Sequence, residues 1–342
     1  MTHEWWQSVW ASRGLTAIAL WPLSRVYALL AWLDRVSFQC GLRKIRVSSV
    51  PVVVIGNLTV GGTGKSPLVA WLCEALLQEG LRPGIVSRGY GGQIRDLPHR
   101  VALDDTAARV GDEPLMLAQQ TGRPVCVCSR RSAAVAMLEA SGEVDVVLSD
   151  DGLQHHAMAR HVEIVVVDQA RGFGNRWRLP AGPLRDSVQR MEAVDTVVYQ
   201  RRPGSTEDTD VASFVLKATD CRLLNSGDAV ALSSFAGQRV HAVAAIGRPM
   251  RFFETLELAG VEVIQHALPD HHPLQPSDVT FSDELAVLIT AKDAVKLDVD
   301  GLSSPVHVVQ TQLLPSPALL KATESLVSRL RSCPASLQEV DS

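Results

Sequence analysis

Val52-Val53-Val54-Ile55-Gly56-Asn57-Leu58-Thr59-Val60-Gly61-Gly62-Thr63-Gly64-Lys65-Ser66-Pro67 sets the architecture of the chain. The apolar run reads as a buried strand, the glycine cluster as a tight turn, and Lys-Ser-Pro as a helix start, where proline gives up an N–H that would be unpaired anyway. A strand, a glycine-rich turn and a helix in that order let backbone N–H groups curl around phosphate oxygens. Lys65 can then reach the outer phosphates, and the Ser66 hydroxyl is placed for a magnesium ion. Thr59 stands where the first glycine of G-x-x-x-x-G-K-[ST] would be, the one departure from that pattern. Thr59, Gly61, Gly62, Thr63, Gly64, Lys65 and Ser66 are therefore the candidate nucleotide-binding residues.

Around this turn, Pro51–Ile55, Gly84–Ser87, Val125–Cys128, Val144–Ser149, Ile164–Val167 and Thr196–Tyr199 read as buried strands, with helical stretches at 67–79 and 130–141 between them. This is the pattern of a parallel-sheet α/β domain, a nucleotide-binding core over 49–202. A polar break at 203–211 opens a linker taken to run to 235. A second set of apolar runs at Val240–Ile246, Val261–Ile264, Ala286–Thr290 and Val306–Val309 predicts a smaller α/β domain over 236–332, followed by a tail at 333–342. The expected fold class is α/β, a P-loop parallel sheet with a second, smaller α/β domain and an amphipathic N-terminal helix.

The 342 residues are 46% hydrophobic with a formal net charge of −4, which argues against nucleic acid as the main partner. Six cysteines without a C-x-x-C pair fit structural thiols in a reducing compartment. Residues 1–48 stand apart: six Lys/Arg face two Asp/Glu over the first 50 positions, and five of the seven tryptophans (Trp5, Trp6, Trp10, Trp21, Trp32) lie there. Indole rings and basic side chains suit a membrane–water interface. Arg25 interrupts the apolar run and Pro22 is expected to kink it, so the helix is predicted to lie in the interface rather than span. Packing on its own domain or on a partner is the competing expectation.

Val144-Asp145-Val146-Val147-Leu148-Ser149-Asp150-Asp151-Gly152-Leu153-Gln154-His155-His156 is an apolar strand ending in carboxylates, the way P-loop enzymes bring an acidic group to magnesium beside the phosphates. Asp150, Asp151 and Ser66 are the candidate metal-side residues. His155 and His156 fit phosphate or structural contacts better than transition-metal ligation, because no matching Cys/His cluster accompanies them. Polar clusters at 87–92, 111–114, 179–186, 268–272 and 290–296 mark further strand ends.

In order, G-N-L-T-V-G-G-T-G-K-S-P, S-R-G-Y-G-G, G-D-E-P, D-D-G-L-Q-H, L-P-A-G-P-L-R, I-G-R-P-x-R-F-F (246–253), D-H-H and T-A-K-D-A-V-K-L resemble the tetraacyldisaccharide 4′-kinase family of the lipid A pathway of Gram-negative bacteria. The resemblance implies transfer of the γ-phosphate of ATP, with Mg²⁺, to the 4′-hydroxyl of a tetraacyldisaccharide 1-phosphate to give lipid IV-A. It implies peripheral contact with the cytoplasmic face of the inner membrane, and no obligatory protein partner. It also implies two α/β/α domains joined by a two-stranded linker. Asp112 of G-D-E-P is implied as the catalytic base, assisted by His271. Arg88, Tyr90, Gln154, His155 and Arg185 are the candidates for holding the acceptor. Two positions depart from the family: Asp186 where Glu is usual, and Ala291 in place of the Glu of T-E-K-D. A membrane-recruited nucleotide switch and a P-loop kinase of a small polar metabolite are the alternatives.

Overall fold

The computed structural model describes residues 3–94, 96–205, 210–298, 302 and 305–333. Positions 206–209 of the polar break and 334–342 of the expected tail lie outside the described residues. The chain divides into two compact units, the first Met1–Arg88, Arg130–Phe214 and Pro315–Ser342, the second Gly89–Ser129 and Val215–Leu314.

In chain order the first unit opens with α1 (His3–Ala11), α2 (Leu15–Gln39), β1 (Val52–Gly56), α3 (Lys65–Gln78) and β2 (Pro83–Ser87). The second contributes β3 (His99–Arg100), α4 (Ala107–Val110), α5 (Asp112–Thr121) and β4 (Val125–Val127). The first resumes with α6 (Arg131–Ser141), β5 (Val146–Asp150), β6 (Val162–Asp168) and β7 (Thr196–Arg201). Then β8 (Ser213–Leu223) leads into β9 (Ala229–Ala231), β10 (Arg239–Ala244), α7 (Pro249–Leu258), β11 (Glu262–Ala267), β12 (Val287–Thr290) and α8 (Ala291–Ala294), and β13 (Val306–Pro315) leads back to α9 (Pro317–Ser332).

The first unit is built on a parallel sheet in the order β7-β6-β1-β5-β2. Every residue of β1 and β5 is buried, which is why Val52–Ile55 and Val146–Leu148 read as continuous apolar runs instead of alternating ones. Their register runs from Val52 opposite Val147 to Ile55 opposite Asp150. The glycine-rich turn after β1 and the acidic pair after β5 therefore leave the same edge of the sheet side by side.

In the second unit the order is β11-β10-β12-β13-β8, and β10 is parallel to both β11 and β12. Successive residues feed two cores. Val240, Ala242 and Ala244 pack with Phe252, Phe253 and Leu256 of α7, while Val243 and Ala245 pack with Leu274, Val279 and Ile289. Both faces are covered, as a parallel sheet requires.

One expected boundary shifts. Residues 89–129, read as part of the 49–202 core, cluster with the second unit, because α5 packs on α8. Residues 213–223, read as linker, form a long strand whose Cys221 is fully buried. Its mixed polarity gave no strand signal, but a strand there agrees with the two-stranded linker that the resemblance implied.

Helix α2 runs 25 residues through Pro22 without a break. Its two sides are inverted relative to an ordinary surface helix. Ala17, Ser24 and Phe38 are buried against the unit, and Tyr27 and Arg35 bond to it from the same side. Ile18, Trp21, Leu23, Val26, Leu29, Leu30, Trp32 and Leu33 are exposed. The docked positions recur at helical spacing along nearly the whole length, so polar and small side chains hold the helix down while its apolar face points outward. Of the five N-terminal tryptophans, Trp10 takes the competing role: it is buried with Val9 and Ala17, and its indole N–H donates to the Pro180 carbonyl at 2.9 Å.

Candidate functional site

Backbone geometry shapes the glycine-rich turn. Gly64, the residue before α3, has φ +82°, and a Cβ there would meet the Gln200 side chain at 2.7 Å and Phe214 at 3.0 Å, so only glycine fits. At Gly62 a Cβ would meet nothing within 4 Å, so space alone does not demand glycine there. Thr59 needs no glycine freedom, because its backbone pairs with Leu184 in an isolated antiparallel bridge. The departure from the motif thus ties the turn to the L-P-A-G-P-L-R segment, which adds Val60 N–H to Pro183 carbonyl at 2.9 Å and Arg185 N–H to Leu58 carbonyl at 2.7 Å.

Lys65 and Ser66 begin α3 and face the end of β5. Lys65 Nζ lies 3.6 Å from Asp151 Oδ1, and the Ser66 hydroxyl donates to Asp150 Oδ2 at 3.4 Å. Arg185 grips Asp151 with two bonds, 2.9 and 2.6 Å, and also reaches Asn57. Arg131 donates to the Asp151 carbonyl at 2.8 Å. Burial alone would push the Asp151 carboxyl up, but Lys65, Arg185 and Arg131 together hold it far below the usual carboxylate range. Asp151 also has φ +52°, a conformation uncommon outside glycine that tends to mark functional turns. Gln154 donates to the Asn57 carbonyl at 3.2 Å, so it braces the turn. Burial and then the field of Arg131 and Arg160 push His155 down to about 4. Arg88 is exposed at the end of the first unit's opening segment.

Among the described residues no group of three or more His, Cys, Asp or Glu is arranged to hold a metal ion. A serine hydroxyl beside one carboxylate is nevertheless the oxygen-only donor set that suits Mg²⁺, which keeps waters and nucleotide phosphates as its remaining ligands. The residues present fit that ion.

The second unit gathers its own cluster. Asp112 opens α5, where its Oδ1 accepts from the Glu113 N–H, and its Oδ2 meets His271 Nδ1 at 2.8 Å. Lys292 sits 3.2 Å from Glu113, 3.7 Å from Asp112 and 3.8 Å from Asp270. Burial would raise the Asp112 carboxyl, yet the His271 hydrogen bond and the Lys292 charge hold it below its ordinary value. His271 is raised, first by its bond to Asp112. Its backbone, like that of Asp151, is left-handed, with φ +60°. The Tyr90 ring packs 5.1 Å from the imidazole.

The structure brings Asp112 and His271 into contact in the second unit, and in the first it sets Lys65 beside Asp151 and Ser66 beside Asp150, while Arg185, expected to hold the acceptor, is engaged by Asp151. Sequence reasoning assigned no part to Asn57, Arg131, Glu113, Asp270 or Lys292. Lys292 lies in the quoted T-A-K-D string, and its signal was there: a lysine next to Asp293, which is fully buried and takes bonds from Thr290 and the Ala245 N–H, fixing the turn that aims it. Arg131 gave no signal, because a basic residue opening a helix is ordinary.

The sequence profile of tetraacyldisaccharide-1-P 4′-kinase (LpxK) matches residues 16–331. Curated relatives named tetraacyldisaccharide 4′-kinase include one from Pseudomonas fluorescens SBW25, 44% identical over 318 residues, covering 88% of this chain and 94% of the relative. Another, from Alkalilimnicola ehrlichii, is 46% identical over 319 residues, covering 92% and 94%. The crystal structure of LpxK from Aquifex aeolicus in complex with ATP is similar at a TM-score of 0.74 and 25% identity, over 93% of this chain and 99% of that one.

Proposed function

The chain belongs to the tetraacyldisaccharide-1-P 4′-kinase family, and from that premise we propose that it transfers the γ-phosphoryl group of ATP to the 4′-hydroxyl of tetraacyldisaccharide 1-phosphate, giving lipid IV-A. The nucleotide loop and the outward-facing apolar helix belong to one unit and meet at one residue, the observation that carries the reading. Arg185 grips Asp151 through its guanidinium, while its own carbonyl accepts from the Tyr27 hydroxyl of α2 at 3.1 Å. A kinase of a soluble metabolite has no use for that coupling.

Phosphoryl transfer passes through a loose transition state that asks chiefly for alignment and charge neutralisation. Lys65 and the turn amides face the β- and γ-phosphates. Ser66 and Asp150 would hold a magnesium ion, which would neutralise charge developing on the phosphate oxygens. Asp151, clamped by three cations, fixes Lys65 and Arg185 in place. Asp112 accepts the proton of the acceptor hydroxyl late in the transfer. Lys292 and His271 keep Asp112 ionised until then, and the imidazole assists by sharing the proton that Asp112 has taken.

The exposed face of α2 lies on the bilayer and does not cross it, because the opposite face is bonded to protein along its length. A lipid acceptor of this class supports a location at the cytoplasmic face of the inner membrane. Removing residues 1–35 would also strip Ser24, Tyr27 and Arg35 from the unit, so the cleaner probe is Leu29, Leu30 and Leu33 to Gln. It should shift the protein from vesicles to solution with the fold intact, and unaltered partitioning at low and high salt would reject the interfacial role.

The deciding experiment is incubation with γ-labelled ATP, Mg²⁺ and the lipid disaccharide in micelles. Label should appear in the acceptor much faster than as free phosphate. Hydrolysis outrunning transfer would favour a nucleotide switch instead.

A further inference from the structure

Val60, the residue before Gly61 in the glycine-rich turn, is held at both of its backbone polar groups. Its N–H donates to the Pro183 carbonyl at 2.9 Å, and its carbonyl accepts from the Arg171 guanidinium. Both partners come from one stretch, residues 169–195, which joins β6 to β7. Strand β6 pairs with β1, Val165 opposite Gly56, so the residues that follow β6 emerge beside the turn that follows β1. There Asp168, buried at the end of β6, accepts through its carboxylate from the Ala170 and Arg171 N–H groups at 3.1 and 3.2 Å, and through its carbonyl from Gly172 at 2.9 Å. This tight reversal sends the Arg171 side chain back to the nucleotide loop.

The next carbonyl of the loop is pinned as well. Gly61 accepts from Asn57 Nδ2 at 3.2 Å, and Asn57 is itself gripped by Arg185. In a trans peptide the N–H points opposite the carbonyl, so these two bonds fix the directions of the Gly61 and Gly62 N–H groups. Among the described residues neither N–H has a protein acceptor. Adjacent unspent donors on glycines are what an anion-binding turn offers. The peptide between Val60 and Gly61 is nevertheless the loose member. Gly61 has φ +96°, and turning that peptide over would carry φ into the negative region open to any residue, with a carbonyl oxygen where the N–H had been. Glycine allows both states at little cost, so a group outside the turn has to choose between them. The Arg171 bond exists in one of the two only.

We propose that Arg171 is a positioning residue for the nucleotide: its guanidinium holds the Val60 carbonyl and thereby keeps the Gly61 N–H turned to the phosphates. The inference deepens the kinase reading and rests on it for the nucleotide alone. It adds to the site a side chain more than 100 residues beyond the glycine-rich motif, one that acts on the phosphates through a backbone amide.

The test is calorimetric titration of the full chain with ATP and Mg²⁺, on wild type, Arg171→Met, Arg171→Lys and Gly61→Ala. Arg171→Met should weaken ATP binding by about ten- to a hundredfold, the worth of a hydrogen bond to a charged group. It should raise KM for ATP by a similar factor and leave KM for the acceptor unchanged. Arg171→Lys keeps a cation that can reach one carbonyl, so it should recover most of the loss. Gly61→Ala puts a Cβ 2.9 Å from Arg171 Nη1, at a φ that side-chain-bearing residues avoid, and should force the peptide over by itself. Because both changes release the same peptide, combining Arg171→Met with Gly61→Ala should bind ATP no more weakly than the weaker single variant. Unchanged affinity in Arg171→Met overturns the proposal. Losses that multiply in the double variant, or that lysine does not relieve, would put the guanidinium on the nucleotide itself and also overturn it. An equal fall in ATP and acceptor binding with a lower unfolding midpoint would make Arg171 a structural residue only, which overturns it too. If wild type binds ATP but labels no acceptor, the kinase reading fails while the titration still decides the role of Arg171.

Discussion

Asp151 and Asp112 are both carboxylates at the start of a turn or helix, both paired to a lysine, yet they are held in opposite ways. Asp151 is surrounded by the positive charges of Lys65, Arg185 and Arg131, which hold it far below the usual carboxylate range, and no histidine is among them. Asp112 shares its charge with His271, a side chain of the type that titrates near neutrality. The first is a fixed electrostatic post and the second a proton-responsive pair. Phosphate binding wants the former because its charge must not waver with pH; moving a hydroxyl proton wants the latter.

Removing the cation from the first region gives the largest expected effect. Lys65→Ala should cut kcat by on the order of 10³-fold, as loss of a phosphate-neutralising side chain does in phosphoryl transfer. Its circular dichroism spectrum should match wild type, because Lys65 supports charge more than packing. An unchanged rate would dissolve the distinction between the two regions, since Asp151 would then be a structural residue only.

The second region should break more gently and non-additively. Asp112→Ala and His271→Ala should each lower kcat, by about 10²-fold, and the double variant by much less than the product, because the two act as one unit. A loss under tenfold at Asp112 would reduce it to positioning. Should added Mg²⁺ rescue Asp112→Ala, Asp112 would be a metal ligand and the assignment of the two regions would have to be exchanged.

Much of this contrast could be read from the residues alone. The turn at Gly61–Ser66 and the acidic strand end at Asp150–Asp151 announce themselves because glycine freedom, a lysine and carboxylates are local in sequence. Asp112 and His271 lie 159 positions apart, and no spacing rule joins them; only the likeness to a family did. Membership of 89–129 in the second unit was invisible for the same reason, since it depends on α5 meeting α8 far along the chain. The inverted helix α2 was half legible. Its apolar residues were plain, but the polar face that docks it, Ser24 and Tyr27, has meaning only once the 178–185 segment is beside it.

Stability against pH separates the two regions on a smaller scale. Asp112 is lowered from 3.8, so its contribution is present above that pH and is lost as pH falls through the folded value below it. His271 is raised from 6.5, so its contribution is complete below 6.5 and is lost as pH rises through its higher folded value. The pair therefore stabilises most between about pH 4 and 6.5. The stability difference between wild type and Asp112→Asn should peak there, at on the order of 1–3 kcal/mol, and shrink in alkali. Denaturant midpoints at about pH 5.5, inside that window, and at a series of alkaline pH values check it. For Asp151→Asn the difference should stay level across that range, because no histidine is among the groups that hold it; a slope would show that Asp151 too is coupled to a titrating group.

The smallest effect concerns Asp186, the position where a glutamate was expected. Its carboxylate joins Arg35 of α2 to the L-P-A-G-P-L-R segment, lies 3.7 Å from Arg178, and accepts from the Ser187 N–H at 2.8 Å. The extra methylene of glutamate would sacrifice the short backbone bond but keep the reach to both arginines, so Asp186→Glu should change stability by less than about 1 kcal/mol. Asp186→Ala should cost more, because it leaves two guanidinium groups facing each other without their shared counter-charge. If Arg185 relies on the pinned helix for its grip on Asp151, Asp186→Ala should also lower kcat while Asp186→Glu does not. Equal kcat in the two variants would show that the nucleotide side is indifferent to how α2 is held.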